Sequence, residues 1–325
     1  MMKILLMKLG AIGDVVHSTI ITSAIKMKHP DWEVHYLTNK TMTPILENNV
    51  TIDKVYTYEK GTNAVNVIKK TADLISQLRA EKYDIIISLS YTFKLLLFAV
   101  GASPKKIGFR KYYKGKSWVE EYFLSAKKLM PDLEIPERLI LNNNKEIEDN
   151  FKNYMSQYPK PHIFLSPGKS ENQIREGRVW NIDKWKKLSE RLLEKYKGTI
   201  FIVGSSSERE NHLKLEKEGI IILSGLYNLE ESCALLSLAD LVISGDSGPV
   251  HIASAYDVKT ISILGSTSPD KIKPYGKNAY VIEPKTNCRY CWKKKCKYTK
   301  NNELYAPCIE SIPVDEVYEK VTEIL

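Results

Sequence analysis

The stretch Leu241–Pro274, LVISGDSGPVHIASAYDVKTISILGSTSPDKIKP, decides the fold. An apolar run, Leu241 to Ile243, stops at Ser244-Gly245-Asp246-Ser247-Gly248-Pro249. A helical segment opens at Pro249 and carries His251 in its first turn, and a second apolar run, Ile261 to Leu264, ends in Gly265-Ser266-Thr267. Strand, turn, helix, strand is the unit of a parallel sheet, because parallel neighbours need a long crossover. Proline at the helix start costs nothing, since the N–H it lacks would be unpaired there anyway. The amides of Ser247, Gly248 and Val250 then point out of a helix N-terminus, beyond the carboxyl end of a strand, where open α/β sheets hold anionic groups. Asp246 beside them can accept hydrogen bonds from sugar hydroxyls. The same residues also make an ordinary turn and helix cap, so the stretch leaves both readings of the site open.

The rest of the second half leads up to that unit. Strands at His162–Ser166, Thr199–Val203 and Ile220–Leu223 alternate with helices at Asn181–Tyr196, Glu208–Glu218 and Leu229–Ala239. The first half reads the same way. Lys3–Met7 is a buried strand, Leu9–Asp14 the turn after it, and Val15–His29 an amphipathic helix. Strands at Val34–Leu37, Lys54–Tyr58, Asp84–Leu89 and Lys105–Phe109 then alternate with helices at Thr41–Asn48, Ala64–Lys82, Phe93–Val100 and Trp118–Leu129. Such alternation predicts an α/β protein with doubly wound parallel sheets. Between the halves, Pro131–Pro161 changes character, with Pro-rich ends, three consecutive asparagines and one helical piece at Glu146–Gln157. The boundary is placed there, giving domains 1–158 and 159–325. Two Rossmann-like halves, each with a loop after its first strand, are expected to face each other across a cleft.

Length agrees: 325 residues exceed one domain of roughly 150. No run of about 18 apolar residues occurs, so nothing is predicted to span a bilayer. The start, MMKILLMKLGAIGD, meets Gly and Asp too early for a signal peptide, which predicts a cytoplasmic protein. The net charge of +9 and pI near 9.0 favour anionic partners, with lysines densest at Lys105–Lys116 and Lys293–Lys297. No helix-turn-helix, aromatic RNA-binding or zinc-finger spacing supports a nucleic-acid reader. Gly10 and Gly13 make a Gly-x-x-Gly, not the dinucleotide fingerprint, so a nicotinamide oxidoreductase is poorly supported.

The residues that can carry chemistry cluster after strands. Asp14 sits at the mouth of the first strand, as a helix cap or a catalytic carboxylate, and His17 lies three residues on along the same helical face. Ser166-Pro167-Gly168-Lys169-Ser170 follows the first strand of the second half but lacks P-loop spacing. Arg175 and Arg178 come just after it, and arginine forks suit diphosphates; Trp180 and Trp185 nearby fit core packing. Glu208 and Glu210, after Gly204-Ser205-Ser206-Ser207, can hold ribose hydroxyls or simply start a helix. Four of the five cysteines, Cys288, Cys291, Cys296 and Cys308, fall within twenty-one residues, while Cys233 reads as core. The four can hold a structural zinc or iron through thiolates, although their spacing matches no standard zinc motif, and reduced buried thiols or a facultative disulfide are the alternatives.

With these pieces in order, the chain resembles glycosyltransferase family 9, the ADP-heptose:lipopolysaccharide heptosyltransferases. The motifs are MKLGAIGDVVH, SPGKS…GRVWNIDKW, VGSSSERE, LSGLYNLEESCALLSLADLVISGDSGPVHIASA and ISILGSTSPDKIKPYGKN, in family order along almost the whole chain. The resemblance implies a GT-B fold, with acceptor binding by the first domain, nucleotide-sugar binding mainly by the second, and the last helix, Val314–Leu325, packing back on the first. It implies transfer with inversion and no catalytic metal. The family's catalytic carboxylate falls on Asp14, with Gly13 and His17 on the acceptor side. Its phosphate-binding Lys falls on Arg178, which keeps the charge but changes the reach. Gly168, Lys169 and Ser170 align with the diphosphate loop, Asp246, Ser247, Gly248 and His251 with the donor turn. Glu208 most nearly matches the ribose acid, and Glu210 is the near alternative. The implied donor is ADP-heptose, and the implied acceptor an anionic lipopolysaccharide inner core at the cytoplasmic face of the inner membrane, with peripheral membrane contact. Two other readings stay open: a transferase of this fold using another nucleotide-sugar and acceptor, and a non-catalytic nucleotide- or glycan-binding scaffold, against which Asp14 argues.

Overall fold

A computed structural model describes residues 2–59, 62–90, 92–168, 176–293, 295–298 and 305–325. These divide into two compact units, Met1–Asn142 and Asn143–Leu325.

The first unit is built on a five-stranded sheet of β1 (Lys3–Met7), β2 (Glu33–Asn39), β3 (Lys54–Tyr58), β4 (Ile85–Ser88) and β5 (Lys106–Phe109). The order is β3-β2-β1-β4-β5, and every pairing is parallel. Helices α1 (Ile12–Lys28), α2 (Ala64–Ala80) and α3 (Phe93–Gly101) connect strands, and α4 (Trp118–Lys127) follows β5. The central strands are apolar on both faces because both are covered. Leu5 and Met7 of β1 join Leu74 and Leu78 of α2 and Leu95 and Phe98 of α3 in one core. Ile4 and Leu6, alternate along the strand, are equally buried on the other face. Helices α1 and α4 pack against each other, as do α2 and α3.

Two local expectations change. Helix α1 begins at Ile12 rather than Val15, so Gly13 and Asp14 belong to its first turn, where a carboxylate suits the helix dipole. The turn shrinks to the residues before it, and Ala11 takes a φ of 35°. The helix expected at Thr41–Asn48 is a 3-10 segment, Lys40–Ile45, with Pro44 inside it to block an α-helical ladder.

The second unit has six parallel strands: β6 (His162–Ser166), β7 (Thr199–Ile202), β8 (Ile220–Ile222), β9 (Leu241–Ser244), β10 (Thr260–Ile263) and β11 (Ala279–Ile282). Their order is β11-β10-β9-β6-β7-β8. Strand β11 was not expected from the sequence. The unit also holds α5 (Lys145–Met155), α6 (Ile182–Tyr196), α7 (Arg209–His212), α8 (Leu229–Ser237), α9 (Gly248–Ala255), α10 (Pro269–Ile272), α11 (Pro307–Glu310) and α12 (Val314–Ile324). The helix expected at Glu208–Glu218 is broken into α7 between two 3-10 turns, because the Glu208 side chain turns back to cap Ser205.

The division falls at Asn142 and Asn143, earlier than the 158/159 boundary. Asn142 accepts from the Val50 amide at 3.1 Å in the first unit. Asn143 donates to Ser237 Oγ at 2.7 Å and accepts from the Tyr256 hydroxyl at 2.5 Å in the second. Helix α5 then packs on α8, and Phe151 meets Tyr227 edge to face at 5.0 Å. Helix α12 belongs to the second unit, where it packs on α6 and buries Val317 and Val321. No helix among the described residues is long and apolar enough to cross a membrane.

Candidate functional site

Open parallel sheets offer ligand crevices at their carboxyl edges, where the strand order reverses. In the first unit β1 lies between β2 and β4, so the reversal falls at the end of β1. There Asp14 is held by two donors, one on each carboxylate oxygen. Lys8 Nζ lies 2.8 Å from one, and the Tyr122 hydroxyl of α4 donates to the other at 3.2 Å. Lys8 is only 6% exposed, an ammonium drawn into the protein, and it also donates to Ser90 Oγ at 3.2 Å. Burial, then the Asp14 charge, pushes the Tyr122 phenol far above its ordinary pKa, so it remains a donor. Arg110, paired with the fully enclosed Glu121 at 2.6 Å, stacks 5.1 Å from the Tyr122 ring and fixes it from behind. The side chain of Asp14 is 19% exposed, so its carboxylate is oriented yet still reachable.

Lys8 and Tyr122 were missed in the sequence. A lysine closing an apolar strand was a signal for Lys8; nothing local pointed to Tyr122, which meets Asp14 across 108 positions. Gly13 stands beside Asp14 in the first turn of α1. His17, expected on the acceptor side, is 1% exposed, and burial lowers its ring pKa to about 4, so it stands here as a neutral interior group.

In the second unit the reversal lies between β6 and β9, whose ends register at Ser166 and Ser244. Ser244 Oγ donates to the Ser166 carbonyl at 2.9 Å and shares a 2.6 Å hydrogen bond with Ser247 Oγ. Ser247 is the N-cap of α9 but its side chain makes no capping bond, so Ser247, Gly248 and Pro249 present a half-buried helix start. His251 is buried in that helix. Gly168 ends the first loop with a φ of +69°, while Lys169 and Ser170, together with Arg175, lie outside the described residues.

Asp246 and Arg178 meet each other. The guanidinium lies 2.8 Å from the Asp246 carboxylate, donates to its carbonyl at 3.0 Å, and reaches Glu176 at 3.2 Å. Burial pushes the Asp246 carboxyl above its usual range, and Arg178 opposes that shift. The pair therefore satisfies itself, where the sequence had assigned one member to a phosphate and the other to a sugar. Arg178 Nε, buried, finds no acceptor among the described residues. Backbone approach explains the glycines around this pair. A Cβ on Gly245 would sit 2.8 Å from the Arg178 carbonyl, and one on Gly265 would strike the Gly177 carbonyl.

At the end of β7, Glu208 accepts from the Ser205 amide and hydroxyl at 2.7 and 2.8 Å, and Glu210 is exposed. Glu208 thus serves as a capping acid. Trp180 and Trp185 are core, edge to face at 5.2 Å.

The four clustered cysteines line one small cavity with Glu176, Ser266 and Ala306. Burial and the neighbouring thiols push Cys308 up to about 11. Yet among the described residues no three of these sulfurs gather within 4.8 Å, a looser set than a tetrahedral thiolate site requires. The group that does gather, Glu33, His35 and Glu81, is bridged by Lys3 at 3.1 and 2.7 Å, which already supplies the positive charge.

A family profile for glycosyltransferase family 9 (heptosyltransferase) matches residues 114–302. The chain is 22% identical to lipopolysaccharide heptosyltransferase 1 of Campylobacter coli over 99% of both proteins. Its fold is similar to that of the E. coli ADP-heptose lipopolysaccharide heptosyltransferase II, with a TM-score of 0.79 at 20% identity over 99% of this chain and 98% of that one. It is likewise similar to E. coli heptosyltransferase WaaC solved with ADP, with a TM-score of 0.76 at 18% identity over the whole of both. The two parallel sheets are those of the GT-B class, and the chain belongs to glycosyltransferase family 9, the heptosyltransferases.

Proposed function

We propose that this glycosyltransferase moves a heptose, or a closely related sugar, from an ADP-sugar to an anionic lipopolysaccharide inner-core acceptor, inverting the anomeric centre. The observation that carries the reading is the Asp14 carboxylate, gripped by Lys8 and Tyr122 at the carboxyl edge of the first sheet with part of its surface open. Inverting transfer needs one base to take the acceptor proton as that hydroxyl attacks the anomeric carbon, and a fixed carboxylate meets the need. In this reading the first unit holds the acceptor and the second the nucleotide-sugar. The leaving diphosphate gains charge, which the amides at the start of α9 and the Lys169–Ser170 loop stabilise without a metal ion. Arg178 acts chiefly by holding Asp246 against that turn, and Glu208 is the better placed of the two acids for ribose.

The cysteine cavity is assigned a structural zinc or iron with no part in the reaction, which requires the loop around Cys288–Cys296 to draw its sulfurs together. Support comes from the convergence of all four cysteines on one cavity. Metal analysis of protein purified without chelator tests this separately. For the reaction itself, purified chain is incubated with a panel of nucleotide-sugars and truncated lipopolysaccharide cores, and products are read by mass spectrometry. A heptose added from ADP-heptose alone is the expected result. Transfer from a UDP- or GDP-sugar instead overturns the donor assignment, and no transfer from any donor overturns the base assigned to Asp14.

A further inference from the structure

Helix α4 buries a charge that the transfer step does not use. Glu121 lies on it with its side chain wholly enclosed, and Nε and Nη2 of Arg110 donate to one carboxylate oxygen at 3.2 and 2.6 Å. The other oxygen lies 3.5 Å from the Tyr113 amide. A buried ion pair is a poor way to stabilise a fold, because desolvating both charges cancels most of their attraction. What it supplies is direction, since a planar guanidinium gripped at two nitrogens is held in one orientation.

That orientation reaches the base. Arg110 directly follows β5, and its amide donates to the Ser88 carbonyl at 2.9 Å, which ties it to the end of β4. Its guanidinium stands 5.6 Å from the Trp118 ring and 5.1 Å from the Tyr122 ring, two aromatics one turn apart on α4. Ser125 Oγ, one turn after Glu121, accepts from the Lys111 amide at 2.8 Å, so strand exit and helix are joined at a second point. The Tyr122 hydroxyl then donates to one oxygen of Asp14 at 3.2 Å, while Lys8 holds the other at 2.8 Å. The Arg110 charge is felt at that hydroxyl. Burial first, and the Asp14 charge second, push the phenol up, and Arg110 pulls against both.

We propose that Glu121 is a positioning residue for the transfer: through Arg110 and Tyr122 it fixes the rotation of the Asp14 carboxylate, and with it the lone pair offered to the acceptor hydroxyl. With each oxygen engaged by its own donor, the carboxylate cannot rotate without breaking a hydrogen bond. Glu121, with no exposed side-chain surface, meets neither substrate and acts only along this chain of contacts. Its leverage comes from geometry, because a reacting group displaced by about 1 Å loses roughly a hundredfold in rate. The inference rests on the reading of Asp14 as the base and adds to it the group that aims that base.

Tyr122→Phe removes the hydroxyl and keeps the buried ring. It should lower kcat about tenfold or more, while acceptor KM and ADP affinity by calorimetry stay within about twofold of wild type. Glu121→Gln should lower kcat in the same way, yet add nothing when combined with Tyr122→Phe, because the two act in series. Arg110→Lys keeps the charge, loses the fork, and should behave as Glu121→Gln does even where the glutamine variant fails to fold. A second readout needs no substrate. The Asp14 carboxyl carbon, seen by NMR in protein labelled with carbon-13 at aspartate and assigned by its loss in Asp14→Asn, should move in Tyr122→Phe and in Glu121→Gln. It should stay in place in Glu120→Gln, which changes a capping carboxylate on the same helix. Wild-type kcat in Tyr122→Phe, a full further loss when Glu121→Gln joins it, or an Asp14 signal that Glu121→Gln leaves unmoved overturns the proposal. So does a fall in kcat matched by raised KM and a lowered thermal midpoint, the mark of a merely structural pair. An inactive Asp14→Asn beside an unimpaired Tyr122→Phe sinks the relay and leaves the base standing; wild-type turnover in Asp14→Asn sinks both.

Discussion

Replacing His17 with Gln should flatten part of the pH dependence of stability, and the size of the effect follows from its burial. The folded chain holds the ring at a pKa of about 4 against an ordinary 6.5, with burial as the cause. Between those values the unfolded chain binds a proton that the folded chain refuses, so stability rises with pH across the window. The contribution is fully present above about 6.5 and is lost progressively as the pH falls toward 4. At 1.36 kcal/mol per pKa unit the loss amounts to about 3 kcal/mol. Glutamine does not titrate there, so the difference in unfolding free energy between wild type and His17→Gln should shrink by that amount between pH 7 and pH 4. Urea unfolding at closely spaced pH values measures it, and groups elsewhere, such as His35, cancel in the difference. Parallel stability curves for the two proteins would refute the reasoning. A raised acceptor KM in His17→Gln, with no change in slope, would return the residue to the acceptor side.

The other predictions concern the two sheet edges. Asp14→Asn should lower kcat about a hundredfold or more while donor affinity, read by calorimetry with ADP, stays unchanged; lost donor binding would make Asp14 a structural cap. Lys8→Met removes the buried partner of the partly exposed Asp14 and should cost on the order of 1–3 kcal/mol in urea unfolding, with kcat falling more than KM changes. Arg178→Ala leaves the buried Asp246 without its counter-charge, and should weaken ADP binding and lower the thermal midpoint together. Gly265→Ala drives a methyl into the Gly177 carbonyl and should lower the midpoint by several degrees, on the order expected for a strained core contact, whereas Gly10→Ala meets nothing within 4 Å and should be silent.

Much of this architecture could be read from alternation alone. The unit Leu241–Pro274 gave β9, α9 and β10 nearly to the residue, because its strands are short apolar runs closed by glycine. Strand β11 escaped because its apolar run, Ala279–Ile282, is only four residues long and lies between the lysine-bearing segment before it and Glu283-Pro284-Lys285 after it, with no amphipathic helix directly following to mark it as a strand. Boundaries slipped where a side chain outvoted the pattern, as Glu208 did by turning back on Ser205. At the sites, residue types in the right loops were visible, but their partners were not. Arg178 and Asp246 were both singled out, yet their ion pair spans 68 positions and leaves no local trace. His17 misled because helical spacing places it near Asp14 without saying whether that face meets solvent or core.

The paired asparagines at 142 and 143 have a practical consequence. A second-unit fragment cut at the proline-rich segment near Pro159 would leave α5 behind, stripping Phe151 from Tyr227 and Asn143 from Ser237 and Tyr256. Such a half-protein would expose the flank of α8 and should aggregate on expression. One begun at Asn143 carries its own lid for that flank and should stay in solution.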